Sequence, residues 1–281
     1  MEFFPQEEKK LEESCSTLVL PALSVGNVGQ LAVDLLISSL RAERIGYLDD
    51  PNVLPGVGNN AYSPSPPGDL TLPLEVYCSK PHGLALIQQR SPVIKGSMID
   101  FAKNLAKFAA ANQKKHVIIL SSLDFMQWKN IDMSSGLQQI YYLSSSNIDG
   151  TDDDCEKRGM KRLPEYNPSN WRWEYLHSIG EKNPAEDHDF PFEDLGEEDY
   201  YPSLPFAALF SCFKAQGIKA TCIFCYCSEG DNTPHAFSVA GAASRILNLG
   251  LEDVQGETNS RWIVPFSWKS VYGPPADAAL F

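Results

Sequence analysis

Three thiols fall within six residues in Cys222-Ile-Phe-Cys225-Tyr-Cys227, a density that raises zinc or redox chemistry. A structural zinc site needs four convergent ligands, normally two paired knuckles. The chain offers no second Cys pair, and its five histidines stand singly. On a strand, Cys225 and Cys227 share one face and Cys222 takes the other, so the stretch reads as small buried hydrophobic side chains. Ser228-Glu-Gly-Asp231, with His235 close behind, sets carboxylates at a strand end, where open α/β sheets hold their ligands. Asp231 and Asn232 are equally ordinary helix-entry residues, and no nucleophile, base and orienting group are legible together. Gly26-Asn-Val-Gly29, between a strand and a helix, invites an anion onto a helix N-terminus. It lacks the third glycine of a dinucleotide fingerprint and the Gly-Lys-Ser/Thr of a P-loop, so it reads as a tight turn. Ser121-Ser122 lacks the Gly-x-Ser-x-Gly elbow of a nucleophile and reads as the polar end of a strand. Catalytic residues, bound cofactor and metal are all expected to be absent.

The elements around these motifs alternate. Residues 17–20 form a short apolar run of strand type, and a Gly-containing turn leads to residues at near-helical spacing, Leu31, Leu35 and Ile37 with Val28. Residues 45–48 predict a second strand, and 49–69, rich in Pro, Gly and Asn, a long loop. Residues 70–77 and 84–88 predict a hairpin around Ser79-Lys-Pro-His-Gly83. An amphipathic helix follows over 96–112. The continuous run 117–120 reads as a buried parallel strand. A helix over 204–216 stops at Gly217, residues 221–227 form another buried strand, and Thr233-Pro234 opens a helix to Leu249 with Thr233 as N-cap. Such alternation predicts a mostly parallel sheet covered by helices on both faces.

The chain has 281 residues, 43% hydrophobic and 21% charged, enough for a substantial core without disulfides or metals. No apolar run approaches the ~18 residues that span a bilayer, and residues 1–10 carry acids with no apolar core of a secretory signal. Seven cysteines, an odd number, fit reduced thiols better than a secreted disulfide framework. The expected compartment is the cytosol, with the nucleus also accessible. The net charge of −13 argues against nucleic acid and against acidic membranes. Residues 149–199 hold 16 of the 36 acids and only six Lys or Arg, so −10 of the −13 sits in one segment. Residues 145–199 are accordingly expected to form a mostly mobile acidic insertion, with Trp171 and Trp173 as local anchors.

The end of the chain carries Trp262, Phe266, Trp268 and Tyr272, expected to dock on the body, then Pro274-Pro275 and an apolar ending, Ala279, Leu280 and Phe281. Chain ends are usually frayed and polar. An apolar end with its carboxylate suits capture in a partner's pocket, and equally suits docking on the protein's own body.

Several of these stretches, in order, resemble the proteasome assembly chaperone 2 family. They are the run from Leu18 to Leu36, Val57-Gly-Asn-Asn60 with Tyr62, Glu75-Val-Tyr77, Ser228-Glu-Gly-Asp-Asn232 with Pro234, Arg261-Trp262, Ser267-Trp268 and Ala279-Leu-Phe281. The resemblance spans the chain except residues 1–15 and the acidic segment. It implies a non-enzymatic chaperone that pairs with a related subunit, proteasome assembly chaperone 1, promotes assembly of the α-ring of the 20S proteasome, and leaves the finished particle. It also implies a three-layer α/β/α sandwich akin to nucleoside phosphorylases. The expected layout is a tail over 1–15 and one domain over 16–281 that includes the insertion and a C-terminal tail over 273–281. In such chaperones a tail ending hydrophobic-Tyr-any enters pockets between α subunits. Here Leu280 stands where the tyrosine would, and Ala279, Leu280 and Phe281 are the residues assigned to α-ring contact. The alternative is a nucleoside- or phosphate-binding enzyme using Gly26–Gly29 and Glu229–Asp231. A third reading is an acidic scaffold working through residues 149–199.

Overall fold

The computed structural model describes residues 1–7, 9–63, 69–127, 139–181, 200–251 and 261–270. In chain order the elements are β1 (Glu2–Pro5), β2 (Thr17–Pro21), α1 (Val28–Ser39), β3 (Glu43–Asp49), β4 (Gly58–Asn59), β5 (Leu70–Thr71), β6 (Leu74–Ser79), β7 (Leu84–Gln89), α2 (Met98–Ala111), β8 (His116–Asp124), β9 (Tyr141–Ser144), α3 (Asp153–Lys157), β10 (Lys161–Arg162), α4 (Trp171–Glu181), α5 (Pro205–Ala215), β11 (Lys219–Cys227) and α6 (Thr233–Leu247). Nine strands form one sheet in the order β1-β3-β6-β7-β2-β8-β11-β9-β10, while β4 and β5 make a separate ribbon. The centre of the sheet, β7, β2, β8 and β11, is parallel, with β11 running in full register beside β8 from Lys219↔His116 to Cys227↔Asp124. Antiparallel pairs join β7 to β6, β6 to β3, β3 to β1, and β11 to β9.

Parallel strands covered on both faces must be apolar on both, and here they are. Along β8, Val117, Ile119 and Leu123 enter one core and Ile118 and Leu120 the other. Along β11, Cys222 and Phe224 face the first core, and Ile223, Cys225 and Cys227 the second. The cysteine stretch is thus a strand with its thiols split between faces, as its period requires. Helices α2, α4 and α5 cover the first face, α1 and α6 the second, giving three layers. Helix α2 buries Phe101, Ala102, Leu105, Ala106 and Ala109, a stripe one helical face wide. The small residues Ala236, Ala240 and Ala243 of α6 let it lie close against α1.

The expected hairpin, central strands and principal helices are all present. Differences lie at the margins. Residues 2–5, expected in a tail, form an antiparallel edge strand on β3, with Phe3 packed 6.3 Å from Phe108. Helix α6 begins at Thr233 with Asn232 before it, so Thr233 is its first residue rather than its cap, and it ends on left-handed Asn248. Residues 145–181, expected to be mostly mobile, carry α3, β10 and α4; residues 182–199 lie outside the described residues. Asp152 explains part of this difference. Its carboxylate caps α3 by accepting from the amides of Asp154 and Cys155, and pairs with Lys219 at 2.8 Å. Burial opposes ionisation of Asp152, but hydrogen bonds from Lys219 and Ser146 and the lysine charge prevail and hold its carboxyl well below the ordinary range. Trp173 of α4 packs among Tyr166, Phe206 and Phe210, so the acidic stretch is built onto the first core.

Candidate functional site: a buried ionic network beside the C-terminal segment

Helix α1 is apolar on its buried side except for Asp34, which is 5% exposed. A lone carboxylate in such a place needs partners. Arg90, just past β7, donates from Nη1 to Asp34 Oδ2 at 2.8 Å, and Gln88 donates to Oδ1 at 2.6 Å. The Tyr62 hydroxyl donates to Asp34 Oδ1 and accepts from Arg90 Nη2 at 3.0 Å. Burial and the neighbouring carboxylate raise the Tyr62 phenol far above its usual range, so it stays a donor.

The network continues across the sheet. Glu75, fully buried on β6, accepts from Arg90 Nε at 3.2 Å and from Arg44 Nη1 at 3.2 Å. Desolvation still raises the Glu75 carboxyl above the ordinary value, although the two guanidinium groups oppose it. Arg44 of β3 also pairs with Asp69 and donates to the Leu70 carbonyl at 3.1 Å. Asn60 donates to Asp69 from its side chain, and its Oδ1 accepts the Tyr62 amide at 2.8 Å. Two arginines therefore hold the middle of the long loop after β3, at Tyr62, and its far end, at Asp69, against α1 and the antiparallel half of the sheet.

That loop in turn receives the C-terminal segment. The Ala61 carbonyl accepts the Ser267 amide at 2.9 Å. Trp262 and Trp268 both pack edge-on to Phe237 of α6, at 6.0 and 6.3 Å. The Ile263 amide donates to Ser39 Oγ at 2.9 Å. The docking expected for Trp262 and Trp268 is seen, whereas Phe266 is 40% exposed. Residues 262–268 thus lie across α1 and α6 and meet this loop at Ser267. Ala279, Leu280 and Phe281 lie outside the described residues, as does Tyr272.

The other candidate motifs meet at the C-terminal ends of the parallel strands. Gly26 has a left-handed φ of 63°, and a Cβ there would fall 2.0 Å from Asn232 Nδ2, so the glycine admits the asparagine amide. A Cβ at Gly29 would meet the Leu120 carbonyl at 2.3 Å, the close approach of helix to strand expected of a tight turn. Asn232 spends its amide on the Ser228 and Gly230 carbonyls at 2.9 and 3.2 Å. Ser122 donates its hydroxyl to the Val25 carbonyl at 2.5 Å and its amide to Ser24 Oγ at 3.1 Å. These groups hold turns together. Among the described residues no three His, Cys, Asp or Glu side chains are grouped so as to hold a metal ion.

Arg44, Asp69, Gln88 and Arg90 were not among the candidates drawn from sequence. The available signal was local: Asp34 and Glu75 each interrupt an apolar run that must be buried, and each therefore requires a cation. Asn60, Tyr62, Glu75 and Tyr77, by contrast, belong to the stretches that carry the family resemblance. The structure brings them together around Asp34, with the Tyr62 and Tyr77 rings edge-to-face at 5.5 Å.

Comparison with known proteins gives the chain its class. The chain belongs to the PAC2 family, whose pattern it matches over residues 18–254. Its relatives include proteasome assembly chaperone 2 of Danio rerio, 31% identical over 271 residues that cover 94% of both chains. Proteasome assembly chaperone 2 of Homo sapiens is 29% identical over 289 residues, covering 99% of this chain and all of that one. Among solved structures, PbaA of Pyrococcus furiosus, an archaeal homolog of proteasome-assembly chaperone, matches with a TM-score of 0.59 at 15% identity, over 89% of this chain and 83% of its own. PbaB of the same organism, an archaeal proteasome activator, matches with a TM-score of 0.53 at 14% identity over 89% of each chain. At these identities the structures establish a shared fold.

Proposed function

We propose that this protein is a non-enzymatic chaperone of 20S proteasome assembly. It acts as a heterodimer with proteasome assembly chaperone 1 and supports formation of the α-subunit ring. The observation that carries the reading is that several of the family-resembling stretches meet in one place. Asp34, Asn60, Tyr62 and Glu75 belong to one polar framework, and Trp262, Ser267 and Trp268 dock beside it on the same loop and on α6. The names of its full-length relatives support the same reading.

In this scheme Ala279, Leu280 and Phe281 contact the α-ring. Burial of Leu280 and Phe281 contributes about 1.5–3 kcal/mol each, before the cost of ordering the tail. That is weak by itself, so the body surface and the partner chaperone must contribute through avidity. The cytosol, with access to the nucleus, is the proposed location. The experiment is a pull-down from cell extract with the tag on a flexible linker at the N-terminus, read by mass spectrometry. Recovery of a related chaperone subunit with proteasome α subunits is expected. A clean preparation that recovers neither overturns the reading.

A further inference from the structure

Cys15 and Cys78 lie 63 residues apart in the chain, yet their Sγ atoms approach to 3.0 Å. Cys15 sits just before the central strand β2, and Cys78 is the penultimate residue of β6, two strands away in the sheet. Both belong to the first core, at 0% and 3% exposure. Ala85 of β7, which lies between these strands and is paired with Cys78 across the ladder, presents only a methyl group on this face. Both sulfurs are thereby accommodated together. Charged groups flank the pair: Lys114 Nζ donates to the Cys15 carbonyl at 2.5 Å, and Lys80 and Glu12, joined to each other at 2.6 Å, lie beside Cys78 with opposing charges. Residues 9–16 are irregular, so they open locally at far lower cost than the strands beside them.

We propose that Cys15 and Cys78 form a reversible disulfide site that staples the segment leading into β2 to the antiparallel half of the sheet. The sulfurs need to approach by about 1 Å to reach the bonded distance of about 2.05 Å. The oxidant is a peroxide. One thiol, as thiolate, attacks a peroxide oxygen; the O–O bond breaks and the departing oxygen leaves as water, giving a sulfenic acid. The neighbouring sulfur then attacks that sulfenic sulfur, the S–O bond breaks, and a second water leaves with the remaining thiol proton. Two thiols and hydrogen peroxide give one disulfide and two waters. Burial pushes the Cys78 thiol up to about 12, and its hydrogen bond with Cys15 pushes in the same direction, so the first step is slow and requires local opening.

The test treats the full chain with hydrogen peroxide, alkylates free thiols after unfolding, and maps peptides without reduction. The expected product is a cross-linked peptide containing Cys15 and Cys78, lighter by two hydrogens, that separates on adding dithiothreitol. Closing a loop of this length is expected to raise Tm by about 5–10 °C, reversibly, and not in C15A or C78A. Recovery of Cys15 and Cys78 as free, singly over-oxidised, or linked to other cysteines overturns the proposal. Because the mapping is done on the unsubstituted chain, the answer does not depend on how well either variant folds.

Discussion

Asp34 and Glu75 are the two carboxylates that the fold cannot leave alone, because both are buried and both share Arg90. Removing one partner of a buried ion pair leaves an uncompensated charge, so Arg90→Met is expected to cost about 3–5 kcal/mol in urea denaturation. A loss below about 1 kcal/mol would mean that water reaches the network. His116 sets a pH dependence. Burial, reinforced by the Lys219 charge, lowers its pKa to about 4, and its Nε2 lies 2.9 Å from Thr221 Oγ1. The folded-state pKa is depressed, so the unfolded chain binds the proton first as pH falls. Stability is therefore complete above about pH 6.5 and declines towards pH 4, by about 3 kcal/mol from this residue. His116→Gln should flatten that part of the pH profile; an unchanged slope would show that His116 is not its source. At this scale the sequence was half informative. Asp34 and Glu75 stand out as charges within apolar runs, but nothing local points from them to Arg90 or Arg44, because those pairings cross 56 and 31 positions of chain.

Elements were legible where one period dominates. Strands β8 and β11 are continuous apolar runs, and α2 carries a clean helical stripe, so their types follow from pattern alone. Residues 145–181 were not legible in this way. Their charge density suggests a solvated segment, whereas Asp152 is consumed as a helix cap and ion-pair partner, and the apolar content of α4 is concentrated in a few large side chains. Strand β1 escaped notice for a related reason: four residues ending in proline on a sheet edge give too short a pattern to count. The attachment of α4 is testable. Trp173 is 4% exposed among three aromatic rings, so Trp173→Ala is expected to cost about 3–5 kcal/mol of global stability. A cost near zero would mean that α4 is an appendage rather than part of the core. For the C-terminal segment, Trp268→Ala should raise amide exchange at Ser267 and Ile263 well above that of α6. Equal protection in the variant would show that the Phe237 contact does not hold the segment.

At the scale of the whole molecule, the three-layer sandwich supplies the body, the ionic network fixes one loop on it, and the 262–268 segment docks on that loop and on α6. The framework residues are spread from position 34 to position 268, which is why local motifs named the family while the geometry linking them had to be seen. With that body intact, deleting Leu280 and Phe281 is expected to weaken binding to α-rings by about tenfold or more, the loss of roughly 1.4 kcal/mol or greater, without changing Tm or pairing with the partner chaperone. Unchanged affinity would remove the tail from the mechanism. The most direct measurement is native mass spectrometry of proteasome α subunits mixed with this protein and proteasome assembly chaperone 1. The expected spectrum contains a one-to-one chaperone pair and α-ring assemblies carrying it, at higher yield than either chaperone alone produces. Absence of the pair, together with ring yields identical with and without this protein, would contradict the assignment as an assembly chaperone.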